Sequence, residues 1–306
     1  MNVTRQSHVS TCINNGESSQ FKILQNMKRL IGLICSISCS IFSLSTLFAQ
    51  TSPYTWLPDY SSTTAIDAIV SPPAGYYRTT YPENSFGTWL RGLPIDTLDT
   101  EVTLFNGTPK GNQSAQAYIL EVPVGKRDLQ QCADAVMRLK AEYLFHQRKL
   151  ESIHFNFTSG DKASFTSWSQ GFRPSFSGNK VSWNKTASPD ASYRNFLKYM
   201  NIVFSYAGTW SFEKELHPIL ISEAKIGDVF IQGGFPGHAI IIVDEAINTS
   251  GEKVFLFAQS YMPAQEIHIL KNPNDSASSP WYTLSEATLL TPEWSFPRES
   301  IKRMQW

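Results

Sequence analysis

The chain runs to 306 residues, enough for one large domain or two small ones. Its 26 basic residues balance 26 acidic ones, and no basic block interrupts it. That balance argues against a nucleic-acid partner.

Residues 1–26 are polar and without pattern. Met27-Lys28-Arg29, an apolar run over 30–48 and the small residue Ala49 then follow the grammar of an export signal. The expected start is Met27, with cleavage after Ala49 or Gln50. Serines pepper the run and no stop-transfer charges follow it, which favours a cleaved signal over a stable membrane span. The expected location is the periplasm or cell envelope. A lipid anchor at Cys39 is less favoured, because Ser36-Ile37-Ser38 is a poor approach to a lipidated cysteine. Residues 1–50 are read as this extension and signal, and 51–306 as a single α+β domain.

Within that domain, residues 51–127 form a strand-rich opening portion. Prolines 53, 58, 72, 73 and 82 exclude long helices before residue 84, apart from a short one over 65–70. Residues 86–94 form a short element ended by proline. Strands are expected over 101–105 and 116–122, separated by a turn over 106–112.

Residues 128–150 carry the best helical pattern. Asp128 is a good N-cap, and Leu129, Cys132, Val136, Leu139 and Tyr143 trace one apolar stripe. Cys12, Cys35 and Cys39 precede the expected cut, so Cys132 is the single cysteine of the exported part, and a lone thiol there merits attention. On the stripe it reads as core. In the first turn, unpaired amides and the helix dipole favour thiolate, and with a histidine nearby the pKa can fall toward roughly 3.5–7.5.

A strand over 152–158 puts His154 and Asn156 on one face and Ile153, Phe155 and Phe157 on the other. Residues 159–188, rich in Ser, Gly, Asn and aromatics including Trp168 and Trp183, read as a long functional or mobile loop. A second helix is expected over 191–207, with Phe196, Leu197, Met200, Val203 and Phe204 inward, and a short one over 211–216.

Three strands follow. The first, 228–232, breaks at Gly233-Gly234-Phe235-Pro236-Gly237, which lets backbone approach closely. His238 then opens the second, 239–244, around an apolar run. Asn248-Thr249-Ser250-Gly251 turns the chain into the third, 253–260. If that turn is a four-residue loop, Ile247 lies opposite Glu252, Ile240 opposite Gln259 and His238 opposite Tyr261, so His238, Gln259 and Tyr261 share a face. Gln259 then holds the His238 ring; a one-residue slip would substitute Ser260. Residues 265–270 form another strand, with Glu266 and His268 on one face. Arg298, Lys302 and Arg303 read as a solvated basic patch.

No P-loop, G-x-S-x-G, H-E-x-x-H, C-x-x-C or dinucleotide fingerprint is present. His154, His238 and His268 stand at no metal-ligand spacing, so neither metal nor cofactor is expected. A cysteine at a helix start, a histidine at a strand start and a polar residue on the next strand follow the order of a Cys–His–polar hydrolase. Cys132 is the expected nucleophile, His238 the base and Gln259 its orienter. The amide of Cys132, with that of Gln131, is expected to face the oxyanion. Gly237, Tyr261 and Trp168 complete the expected substrate surface.

From about residue 86 to 306 the chain resembles a bacterial family described only as domain of unknown function 4846. The match rests on Gln131-Cys132-Ala133-Asp134-Ala135, Tyr206-Ala207-Gly208-Thr209, Gly227-Asp228-Val229-Phe230, Pro236-Gly237-His238-Ala239 and Ala258-Gln259-Ser260-Tyr261-Met262-Pro263. More distantly, Cys132 at a helix start, Gly227-Asp228-Val229 and Gly237-His238-Ala239 resemble papain-like cell-wall peptidases of the NlpC type. Three features depart from that group: Asp-Cys-Ser is missing, the Cys-to-His gap is longer, and Gln259 stands where histidine is more common. This resemblance implies a papain-like antiparallel sheet packed against the helix carrying the cysteine, over about 128–270, and amide hydrolysis in peptidoglycan stems. The rival reading is a non-enzymatic envelope module in which some of the eight tryptophans stack on glycan or anchor a protein partner.

Overall fold

The computed structural model describes residues 52–306; the expected export signal and Cys12, Cys35 and Cys39 lie outside the described residues. Among the described residues, ten strands build the main sheet: β1 (Tyr76–Arg78), β2 (Ile95–Asp96), β3 (Gln116–Leu120), β4 (Leu216–Pro218), β5 (Val229–Gln232), β6 (His238–Asn248), β7 (Lys253–Gln259), β8 (His268–Leu270), β9 (Tyr282–Thr283) and β10 (Ile301–Met304). The strand order is β2-β3-β8-β7-β6-β5-β10-β4, with β1 added to β6 and β9 to β7, and the pairings are antiparallel. The protein is α+β.

The centre of the sheet is β6, the longest strand. Its first nine residues are buried, so both of its faces are covered, and a run such as Ile240-Ile241-Ile242-Val243 meets that demand. Among the described residues there are six α-helices: α1 (Ile66–Ile69), α2 (Phe86–Arg91), α3 (Cys132–His146), α4 (Phe165–Ser169), α5 (Tyr193–Tyr206) and α6 (Thr209–Glu213). On one side α3 lies against β6, and it also meets α5. Among the described residues, no helix is long and apolar enough to cross a membrane.

The start of α3 differs from the sequence expectation. Asp128 does not cap it. Its carboxylate instead accepts from the Ala264 amide (2.7 Å) and from the Gln131 side chain (3.0 Å). Gln131 occupies the cap, Asp134 accepts its amide at 3.1 Å, and Cys132 is the first helical residue. Nor is a stripe what packs, since every residue from Cys132 to Phe145 is buried. Of the charged members, Arg138 pairs with Glu142 at 2.6 Å, Tyr193 donates to the same carboxylate oxygen at 2.7 Å, and Lys140 lies over the rings of Phe155 and Trp306.

The β6–β7 hairpin also departs in detail. At the turn Ile247 pairs with Lys253, one residue out of step with the expected Glu252. A bulge between Ile242 and Asp244 then absorbs the difference. Beyond it Ile242 faces Phe257 and Ile241 faces Ala258, the register in which Ile240 falls opposite Gln259.

Residues 159–188 are not a long loop. They hold a strand, Lys162–Ser164, paired with His154–Asn156, then α4, then a hairpin of Phe172–Ser177 with Lys180–Lys185. The expected strand over 101–105 is reduced to bridges at Thr103 and Leu104, and the end of the expected 211–216 helix is strand β4. The basic patch is paired throughout, Arg298 with Glu286, Lys302 with Glu213 and Arg303 with Asp228. The opening residues extend the main sheet at one edge through β2 and β3, and cover β6 through β1 and α2.

Candidate active site

Cys132 sits where α3 begins. Its sulfur is approached by the backbone amides of Ala133, of Ala239, the residue that follows His238, and of Cys132 itself. Cys132 is 9% exposed and helps line a cavity of about 380 Å³. Burial, followed by the charge of Asp134 two residues on, pushes the thiol up to about 11, against the opposing pull of those amides. This corrects the lowered pKa expected from helix position. The amides and dipole are present, but taking a thiolate out of water outweighs them.

His238 is the first residue of β6 and lines the same cavity. Its ring is packed among Tyr261 (centroids 4.8 Å apart), Trp294 (5.2 Å) and Phe296 (5.7 Å). Burial holds the imidazole down at about 4, with Lys110 acting in the same direction and the Gln259 hydrogen bond opposing. The approach to His238 depends on Gly237, where a Cβ would fall 2.5 Å from the Gly234 carbonyl oxygen and 2.8 Å from that of Gln232.

The ring's tautomer follows from its partners. Nε2 of His238 lies 2.8 Å from Oε1 of Gln259, and Nε2 of Gln259 donates to Glu293 at 2.7 Å. A carboxylate only accepts, so the amide nitrogen must face Glu293 and the amide oxygen must face the ring. His238 therefore carries its proton on Nε2 and keeps a lone pair on Nδ1. His268 agrees. Its Nδ1 donates to the Glu266 carbonyl at 2.9 Å, so its Nε2 accepts from the Gln259 amide at 3.2 Å.

Ser260, the alternative third member, is engaged elsewhere: its hydroxyl faces the carbonyls of Gln130 (3.1 Å) and Gln265 (2.8 Å). Glu293 is a member of the site that the sequence does not signal. It lies in the Pro292-Glu293-Trp294 segment, outside any regular element, and no periodicity marks it. Besides Gln259 it receives Lys110 at 2.6 Å and Asn112 at 3.1 Å.

The other expected residues divide. Gly237, Tyr261 and Gln131 line the cavity, together with Phe204, Thr209 and Trp294. The Gln131 amide is nevertheless spent on Leu129 and Asp134, which removes it as an oxyanion donor. The Cys132 amide, at the first helical position, has no intrahelical acceptor. Trp168 does not line the cavity. It is buried, its indole donates to Asn195 at 3.0 Å, and Arg173 covers its ring at 3.8 Å, so it is packing. Trp89 and Trp281 are likewise core. Phe235, 95% exposed, and Met262 stand in the cavity wall as an apolar rim. A larger cavity of about 670 Å³ opens beside Tyr143 and Leu144 of α3, between Tyr81, Phe86 and Trp306, and holds none of the expected site residues.

A family model described as a domain of unknown function (4846) matches residues 66–303. No curated protein and no solved structure matches the chain.

Proposed function

The chain belongs to the family described as domain of unknown function 4846, and we propose that it is a cysteine hydrolase of amide bonds acting through Cys132 and His238. The observation that carries this reading is the commitment of His238 Nε2 to Gln259, which leaves Nδ1 unprotonated on a ring that shares a cavity with the thiol.

Both groups rest uncharged, the thiol by its raised pKa and the imidazole by its lowered one. The reaction therefore starts from a neutral pair. Nδ1 takes the thiol proton as sulfur attacks the carbonyl carbon, and the amide of Cys132 receives the developing oxyanion. His238 returns the proton to the leaving nitrogen, a thioester remains on Cys132, and water, deprotonated by the same ring, releases the acid. Gln259 steadies the imidazolium while it exists.

The export signal read over 27–50, and the likeness to papain-like cell-wall peptidases of the NlpC type, make amide bonds of peptidoglycan stems the proposed substrate class. Incubation with stem peptides should release new free amines, detected by mass spectrometry, and Cys132→Ser and His238→Ala should each abolish the release. A second reading, an envelope module that binds glycan or protein on the same scaffold, is favoured by one observation: the resting thiol is protonated and mostly covered. Binding of stem peptides without cleavage, unchanged by Cys132→Ser, would establish that reading instead.

A further inference from the structure

We infer that Glu293 is a positioning residue for His238, acting through the Gln259 amide to set which ring nitrogen carries the proton. The inference concerns the ring itself, and it rests on the hydrolase reading only for its catalytic consequence.

The Gln259 side chain has two orientations, and its neighbours choose between them. In the observed one its oxygen accepts from His238 at 2.8 Å, while its nitrogen serves Glu293 at 2.7 Å and His268 at 3.2 Å. Turning the amide over would set its oxygen against a carboxylate and against the lone pair of His268, and would aim its N–H groups at His238. The ring would then have to accept at Nε2 and carry its proton on Nδ1. That tautomer has no lone pair left to receive a thiol proton.

Lys110 makes the arrangement a balance rather than a fixture. Its ammonium, itself buried, lies 2.6 Å from the half-buried Glu293, brought there by the segment that also supplies Asn112. A lysine only donates. With Glu293 in place Lys110 is satisfied and Gln259 donates outward. Lys110 and the Gln259 amide donate to the same oxygen of Glu293, so without Glu293 the ammonium is left facing the end of that amide, and the acceptor it meets there is the oxygen of a turned Gln259. The segment around Lys110 belongs to the strand-rich opening of the chain, so that portion reaches the site through Glu293.

Two-bond ¹H–¹⁵N spectra of the histidine-labelled protein report ring tautomers without any substrate. Wild type should show His238 protonated at Nε2. Glu293→Ala should move it to Nδ1, and Glu293→Gln, whose carbonyl oxygen can still accept from Gln259 and Lys110, should keep it at Nε2. Adding Lys110→Met to Glu293→Ala should restore Nε2, because His268 alone then orients the amide. An Nε2 proton that persists in folded Glu293→Ala overturns the inference. Should that variant not fold, Gln259→Leu carries the test: with no amide the ring must populate both tautomers, and a ring that stays wholly at Nε2 is held by something else. A shifted tautomer with undiminished cleavage would count against the hydrolase reading and leave this inference standing.

Discussion

The side-chain oxygen of Gln259 accepts from His238 across a hairpin whose turn pairs its strands one residue out of the register that brings the two together. The extra residue at the β6 bulge corrects the offset. In an unbulged hairpin of the same turn, side chains on this part of β7 would exchange faces, and Ser260 rather than Gln259 would meet the ring. The bulge therefore decides which side chain the histidine finds.

The thiol gives the first prediction. With its pKa at about 11, only about one Cys132 thiol in ten thousand is ionised at neutral pH. Alkylation by iodoacetamide in the folded protein should accordingly be slow at pH 7 and rise toward pH 11. Asp134→Asn keeps an oxygen to accept the Gln131 amide and removes the charge that helps raise the thiol, so its rate profile should move to lower pH. An unmoved profile would show that burial alone sets the value.

The histidines give the second. Burial lowers His238 from 6.5 to about 4 and His268 to about 3. Below pH 6.5 the unfolded chain takes up protons that the folded one refuses, so stability is full above 6.5, falls as pH drops toward 4, and levels off below the folded values. For His238 the loss is about 3 kcal/mol. Asp134 acts in the opposite sense, since burial raises its carboxyl and its protonation favours the fold. The comparison is therefore between proteins: the loss of urea midpoint between pH 7.5 and pH 4.5 should be smaller in His268→Gln than in wild type.

Much of this site could be read from the sequence, for identifiable reasons. The glycine-rich loop, the apolar run of β6 and the Asn-Thr-Ser-Gly turn are local signals, and together they put His238 and Gln259 on neighbouring strands. The bulge could not be read. In a strand buried on both faces, one more aliphatic residue alters no pattern, and here it cancelled an error of one at the turn. The start of α3 is obscured because Asp128 looks like a cap, whereas the working signal is Asp134, three residues after Gln131. The thiol's pKa is hidden because position in a helix is legible and burial is not. Glu293 and Lys110 meet only through tertiary structure, 183 residues apart.

Gly237 supports a third prediction. A methyl group there would press on two backbone carbonyls, which cannot rotate away, and on the Thr209 hydroxyl, which can. Gly237→Ala should cost about 2 kcal/mol and lower the melting temperature by about 4–8 °C. Gly111→Ala, where the added carbon meets open space, is the control and should change little. Equal melting of the two variants would mean that the loop before His238 yields easily and does not fix the ring's approach.

The fourth prediction concerns what pins the bulge. Asp244, immediately after it, is fully buried, and its carboxylate binds Arg91 through one oxygen and Arg78 through the other, both at 2.7 Å. Arg91 comes from α2 and Arg78 from β1, so the opening portion of the chain clamps the central strand where its register shifts. Asp244→Asn retains the shape but leaves two guanidinium groups without a counter-charge, one of them buried, which should cost about 3–5 kcal/mol. Arg78→Met should cost less, because Arg78 is the more exposed partner and Arg91 still neutralises the aspartate. Urea denaturation measures both losses. If Asp244→Asn loses less than Arg78→Met, the charge cluster does not hold the strand. If it loses as much as expected, weakened protection of the Ala258 amide in hydrogen exchange should accompany the loss, because Ala258 is paired on the site side of the bulge and must slip with it.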